Sequence, residues 1–248
     1  MVDELDAKTY RQHNISQRTI AKELWTQLTL QGDEHLLDIG CGDGRISHQM
    51  ADNLPNGRVT GIDPSPSMIE AAKEHQLPHL HFEQRGAHDI NEVEKYDIVT
   101  AFSSLHYVPQ IDLALEKIFR ALKPGGRFLA LCYTSDDGMG KHQTELLRSP
   151  RWSPLVRPSG LNLISTAEHK KILAALPWRC TLREELRTAL VDEAGFRHNL
   201  EVFTPLFLNG SEEEKSEFID DLLDCFRRPG QPFQAPYVVL KISTEKPR

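Results

Sequence analysis

The chain has 248 residues, 39% of them hydrophobic, enough to bury the core of one α/β domain carrying an insertion. Its formal charge of −7 argues against a duplex-binding surface built on lysine and arginine. No apolar run approaches the ~20 residues of a membrane span, and the opening MVDELDAKTY is acidic with no apolar stretch. The four cysteines (Cys41, Cys132, Cys180, Cys225) include no C-x-x-C pair, so reduced thiols and a cytoplasmic location are expected.

Taken in order, strands and helices alternate. Ile15, Ile20, Leu24 and Leu28 share one helical face, which predicts a helix from Ser16 to Leu30. A strand from Glu34 to Ile39, a helix from Arg45 to Asn53 and a strand from Arg58 to Asp63 follow. Ser65 and then Pro66 read as a cap and a first-turn proline opening the next helix. The third strand is predicted at Leu80 to Gln84 and the fourth at Tyr96 to Phe102. Ile111, Leu115, Ile118, Phe119 and Leu122 form an amphipathic helix stopped by Pro124-Gly125-Gly126, and a strand from Arg127 to Tyr133 ends the parallel part. This alternation predicts a doubly wound sheet.

Beyond Tyr133 the pattern changes. Residues 134–180 hold Pro150, Pro154, Pro158 and Pro177 and only short helical pieces, which reads as an inserted lid. A helix from Thr181 to Glu193 is expected next, with Gly195 as its C-terminal cap. Asn199 to Leu208 reads as a strand. Ser211 and Glu214 have capping-box spacing ahead of a helix through Phe218, Leu222 and Phe226. Tyr237 to Ser243 is the final strand.

The most informative stretch is Leu36 to Gly44, LLDIGCGDG. An apolar strand carrying Asp38 runs into glycines at 40, 42 and 44, where backbone can pass close to a ligand or take positive φ. The next strand delivers Asp63, an acid placed to accept both hydroxyls of a ribose. Together they describe a nucleoside-binding crevice at the carboxyl edge of the sheet. The dinucleotide pattern G-x-G-x-x-G fails, because Arg45 stands where its last glycine would be.

D-I-G-C-G-D-G resembles motif I of the class I S-adenosylmethionine-dependent methyltransferases. GIDPSPSMIEAA (Gly61 to Ala72), YDIVTAFSSLHYV (Tyr96 to Val108) and LKPGGRFLAL (Leu122 to Leu131) resemble that family's later motifs, in order, over about 100 residues. The resemblance implies a Rossmann-like, seven-stranded, doubly wound sheet with a reversed last strand. A helical cap over residues 1–30 and a lid over 134–180 would complete a single domain, 1–248. It also implies S-adenosyl-L-methionine as cofactor. Gly40 and Gly42 would approach its amino-acid part, with Asp38 towards its ammonium group and Asp63 on the ribose. Met68 would pack on adenine. Gly86 stands where many relatives carry an acid, so Ala87, His88 and Asp89 are the purine-side candidates. Phe102 ends the strand facing the cofactor.

Tyr10, Ser16 and Gln17, with LHYV at 105–108, resemble the trans-aconitate and juvenile hormone acid methyltransferases, which esterify small carboxylic acids. This implies Gln17 and Tyr107 at the acceptor and Tyr10 at the cofactor. His106 is a candidate general base, since imidazole titrates near neutrality. From Lys141 to Arg187 nine Lys or Arg face four Asp or Glu. A cationic lid carrying Arg148, Arg151 and Arg157 could clamp an anionic acceptor. The expected reaction is O-methylation of a small carboxylate. An RNA- or protein-directed methyltransferase, or a non-catalytic cofactor-binding protein, is the alternative. No metal or membrane partner is expected.

Overall fold

The computed structural model describes residues 15–158, 160–189 and 191–248, with side chains from residue 18 onward. Tyr10 lies outside the described residues, as does the side chain of Gln17.

Helix α1 (Ile15–Trp25) precedes β1 (His35–Ile39), α2 (Arg45–Ala51), β2 (Arg58–Asp63), α3 (Pro66–Ala72) and β3 (Leu80–Gln84). Then come β4 (Tyr96–Phe102), α4 (Ile111–Ala121) and β5 (Leu122–Asp137). The remainder is α5 (Gly138–Arg148), α6 (Thr166–Leu173), β6 (Arg179–Thr188), α7 (Glu193–Phe203), α8 (Glu212–Asp224) and β7 (Pro236–Glu245). The seven strands form one sheet in the order β3-β2-β1-β4-β5-β7-β6. β1 to β5 are parallel, and β7 runs antiparallel to both β5 and β6. The doubly wound sheet and its reversed last strand are therefore as expected. Strand order reverses between β1 and β4, which opens a crevice beyond their carboxyl ends.

Both faces of the sheet are covered, so its central strands are nearly continuous apolar runs rather than alternating ones. Leu37, Val99 and Phe128 pack under α4 and α6 on one face, while Leu36, Ile98 and Leu129 pack under α1 and α2 on the other. A third cluster stands apart. Trp152, Phe196, Leu200, Phe207, Phe218 and Leu222 form the core of a helical cap built mainly from α5, α7 and α8.

Three expectations after Tyr133 are corrected. Thr181 to Glu193 is not a helix; most of it is β6, which pairs with β7 over ten residues. Its sequence, RCTLREELRT, misleads because an edge strand exposed on both sides has no apolar alternation, and Leu182 and Leu186 fall four apart. Asn199 to Leu208 is not a strand. It is the end of α7 and a 3-10 turn, Thr204–Leu206. Phe196, Leu200 and Phe203 lie at 4- and 3-residue intervals on that helix. Gly195 sits in its first turn, donating its N–H to the Asp192 cap (2.9 Å), and ends nothing.

The 134–180 segment also divides. β5 runs on to Asp137, and Leu173 and Trp178 join the sheet core, where Trp178 stacks on Phe128. The cap draws instead on α5 and its following loop and on residues beyond β6. Helix ends moved as well. α1 stops at Trp25 and α2 at Ala51, and α4 gives way to β5 at Leu122, before the Pro-Gly-Gly turn.

Candidate active site

The bend after β1 forms the floor of the crevice. Gly40, Gly42 and Gly44 all take positive φ (69°, 55° and 79°). The Gly40 and Cys41 N–H groups both donate to the Ile62 carbonyl, which pins the bend to β2. A Cβ on Gly40 would come within 2.3 Å of Ser104 Cβ, so the bend and the loop after β4 touch at the switch point. Ser104 Oγ donates to the Ile39 carbonyl at 2.8 Å and ties the two loops together.

Asp38 and Asp63 lie on either side of this bend with different surroundings. Asp38 is 3% exposed; Ser47 Oγ donates to its Oδ2 (2.6 Å) and Thr100 Oγ1 to its Oδ1 (2.7 Å). Burial raises its pKa against those two hydrogen bonds. Its carboxylate joins β1 to β4 and α2 beneath the bend. Asp63, at the tip of β2, accepts the Gly42 N–H on Oδ2 (3.0 Å) and the Ser65 N–H on Oδ1 (2.9 Å). Burial pushes its pKa up to about 6 despite both donors. Ser65 caps α3, which places buried Met68 beside Asp63 in the first turn.

Across the crevice a short turn runs from Ala87 to Asp89. Ala87 is buried, Asp89 Oδ2 accepts the Gly86 N–H (2.8 Å), and His88 Nε2 bonds the Pro109 carbonyl (2.6 Å). Buried Phe102 ends β4. Ser103 follows with φ 54°, a conformation a non-glycine residue adopts only where its surroundings impose it.

His106 lies two residues beyond Ser104, on a 3-10 turn with Leu105 and Tyr107. Its ring is 4% exposed, Nδ1 has no hydrogen-bond partner, and burial, with His169 nearby, pushes its pKa down to about 3. The ring is therefore neutral at physiological pH. It meets Tyr107 at 4.5 Å and Tyr133 at 5.2 Å between centroids, and Tyr133 meets Tyr237 at 5.7 Å.

These rings wall a cavity of about 150 Å³ between the carboxyl edge of β4 and β5 and the helical cap. Met139, Leu163, Phe196, Leu200, Phe203 and Phe207 supply its apolar walls. Gln143 on α5 and Asn199 on α7 add amides. Among the described residues, no lysine, arginine, aspartate or glutamate lines it.

Of the sequence candidates, Asp63, Gly40, Gly42, Met68, Ala87 and Phe102 surround the crevice, and His106 and Tyr107 line the cavity. The lid arginines do not reach it. Arg148 and Arg157 are absent from its described lining, and Arg151 is bound by Glu217 and Asp221 and lies over the Trp152 ring. Sequence reasoning missed Gln143, Asn199, Tyr133 and Tyr237. Asn199 was hidden by reading α7 as a strand. A 3.6-residue period applied to Phe196, Leu200 and Phe203 would have found it.

A family model described as "Methyltransferase domain" matches residues 30–170. The chain belongs to this family. It is an S-adenosylmethionine-dependent methyltransferase, with S-adenosyl-L-methionine as its cofactor. A methyltransferase of Schizosaccharomyces pombe is 28% identical over 200 residues, 78% of this chain and 71% of that protein. Trans-aconitate 2-methyltransferase of Paracidovorax citrulli is 34% identical over 119 residues, 47% of this chain and 45% of that enzyme, so this match spans under half of the relative. The crystal structure of the YcgJ protein from Bacillus subtilis has the same fold, with a TM-score of 0.69 over 94% of this chain and 99% of its own at 19% identity. No helix among the described residues is long and apolar enough to cross a membrane.

Proposed function

We propose that this methyltransferase transfers a methyl group to an oxygen of a small molecule held in the cavity between the sheet edge and the helical cap. The observation that carries this reading is the segment from Phe102 to Tyr107. It borders the glycine bend at one end, through Ser104, and lines the cavity at the other, through His106 and Tyr107. Donor and acceptor sites on one short segment are what an in-line transfer needs.

The residues present fit the cofactor. S-adenosylmethionine supplies a methyl group made electrophilic by a positively charged sulfur. Asp63 is fixed by two backbone N–H groups and keeps lone pairs for the ribose hydroxyls, because a carboxylate can accept about four hydrogen bonds. Gly40 and Gly42 bring bare backbone to the amino-acid part. Met68 and Ala87 offer apolar walls to the purine, with His88 and Asp89 at its edge. Asp38, which accepts one hydroxyl on each oxygen beneath the bend, holds the bend in shape and keeps lone pairs for the ammonium group that the resemblance assigns to it. Tyr107 remains an acceptor-side residue. Tyr10 and Gln17, implied by resemblance at the two sites, rest on that resemblance alone.

Esterification of a carboxylate is supported by the trans-aconitate resemblance. The cationic clamp it was expected to use finds no counterpart in the described cavity wall. Small-molecule O-methylation stands without it.

Titration calorimetry of Asp63→Ala against wild type tests the cofactor half. We expect binding at least tenfold weaker with an unchanged far-ultraviolet spectrum, and equal affinity would remove Asp63 from the site. Methylated product from a small-molecule panel tests the transfer half. Its absence across the panel, in a chain that binds the cofactor, would favour the non-catalytic alternative.

A further inference from the structure

Resting on the reading that this cavity holds the methyl acceptor, we infer that the acceptor is uncharged: a phenol-sized apolar body with one hydroxyl, which is received by the His106 imidazole. Three features of the cavity point to this.

The first is charge. A carboxylate or phosphate entering the cavity leaves water for walls that, among the described residues, hold no lysine or arginine. Burying an ion without a paired charge costs several kcal/mol even after relaxation. A hydroxyl costs ~1–3 kcal/mol, and one hydrogen bond offsets most of that. The polar side chains of the described walls are neutral: the amides of Gln143 and Asn199, the hydroxyls of Tyr107, Tyr133, Tyr237 and Thr134, and the His106 ring. Such a set can orient a hydroxyl but cannot neutralise an anion.

The second is size and lining. The cavity measures about 150 Å³. An engineered apolar cavity of roughly that volume holds benzene. Six of its walls are aromatic rings of phenylalanine or tyrosine, suited to edge and face contacts with another ring.

The third is His106. It lines the cavity, is more than nine-tenths buried, and its ring makes no hydrogen bond among the described residues. Buried polar atoms of this kind are rare, and those that exist call for a reason. A hydroxylated ligand supplies one. In the transfer, a lone pair on the hydroxyl oxygen forms the new O–CH3 bond as the S–CH3 bond breaks, its electron pair remaining on sulfur and cancelling the sulfonium charge. The hydroxyl proton passes to His106 and then to water. A methylated hydroxyl is an oxonium, a far stronger acid than an imidazolium, so even a weakly basic buried ring can take that proton.

The test compares p-cresol with p-toluate, two probes of similar size that differ in charge. Each is titrated calorimetrically into the full chain loaded with S-adenosylhomocysteine. We expect p-cresol to bind at least tenfold more tightly. Equal or tighter binding of p-toluate, or no binding of p-cresol, overturns the inference. Leu200→Trp, which fills the cavity, separates this failure from failure of the underlying reading. If p-cresol still binds that variant, the cavity is not the acceptor site at all. The methyl-transfer rate at saturating p-cresol should fall at least a hundredfold in His106→Leu while its Kd weakens only about tenfold for the lost hydrogen bond, and His106→Gln, which keeps an acceptor, should recover part of both. An undiminished rate in a folded His106→Leu or His106→Gln chain removes the histidine from the reaction.

Discussion

Burial acts on Asp63 in a direction its proposed role on the ribose opposes. The carboxyl accepts two backbone N–H bonds that favour its charged form, yet desolvation outweighs them and pushes its pKa up to about 6. A ribose diol donates hydrogen bonds and needs the ionised carboxylate. Cofactor affinity should therefore be fully present above about pH 7 and fall as pH drops through 6, by up to tenfold per unit below it. The stability sign is opposite. The unfolded acid ionises near 3.9, so raising the pH from about 4 to 6 removes the advantage the folded chain gains by keeping its proton. Asp63→Asn should flatten both dependences. Calorimetric affinities that do not change between pH 5 and 7 in the wild-type chain would contradict this account. At this scale the sequence was informative where geometry is local. The glycines at 40, 42 and 44 were legible because neighbours in sequence are neighbours in the bend, and the acid ending β2 because consecutive parallel strands β1 and β2 lie side by side. The hydroxyl that Asp38 accepts from Thr100 was not legible, because Thr100 lies 62 residues away on β4.

Between elements, one buried cation joins three of them. Lys241 on β7 is 8% exposed, and its Nζ donates to Glu23 of α1 (3.1 Å) and Glu185 of β6 (2.9 Å). Arg187 of β6 reaches the same two carboxylates. Glu23 thus ties the amino-terminal helix to the antiparallel β6–β7 pair. Both carboxylates are partly in water, so the network is worth far less than a buried pair would be. Glu23→Gln should cost about 1 kcal/mol, lowering Tm by roughly 2–4 °C. High salt should lower the wild-type Tm towards that of the variant by screening the same pairs. A salt response unchanged by the substitution would show that Glu23 contributes nothing. Element type was legible at several elements: β3 and β4 fall at their expected bounds, and the Ser211–Glu214 box starts α8. It failed at β6, where exposure on both faces erases the period and only pairing with β7 defines the strand.

At the scale of the molecule, the chain divides its labour between two cores. Clusters on the two faces of the sheet fix the glycine bend, Asp63 and the loop after β4, while the third cluster fixes the cap that walls the cavity. No motif reveals the cap, because it is assembled from segments on both sides of β6 and packs by long-range contact alone. Phe218 is at its centre, fully buried and edge-on to Trp152 (5.4 Å) and Phe207 (5.9 Å). Phe218→Ala removes the ring that holds α8 against both neighbours, and a substitution of this kind in a packed core costs ~3–5 kcal/mol. Phe207 belongs both to this cluster and to the cavity wall, so a loosened cap should blur the acceptor site and raise the acceptor KM several-fold. Asp63 and the bend contact none of the residues removed, so cofactor affinity should stay within about twofold at temperatures where the sheet remains folded. Denaturant unfolding, cofactor calorimetry and acceptor kinetics on one preparation separate these outcomes. A proportional loss of cofactor binding would mean that cap and sheet fold as one cooperative unit, with the division between donor and acceptor sites lost along with it.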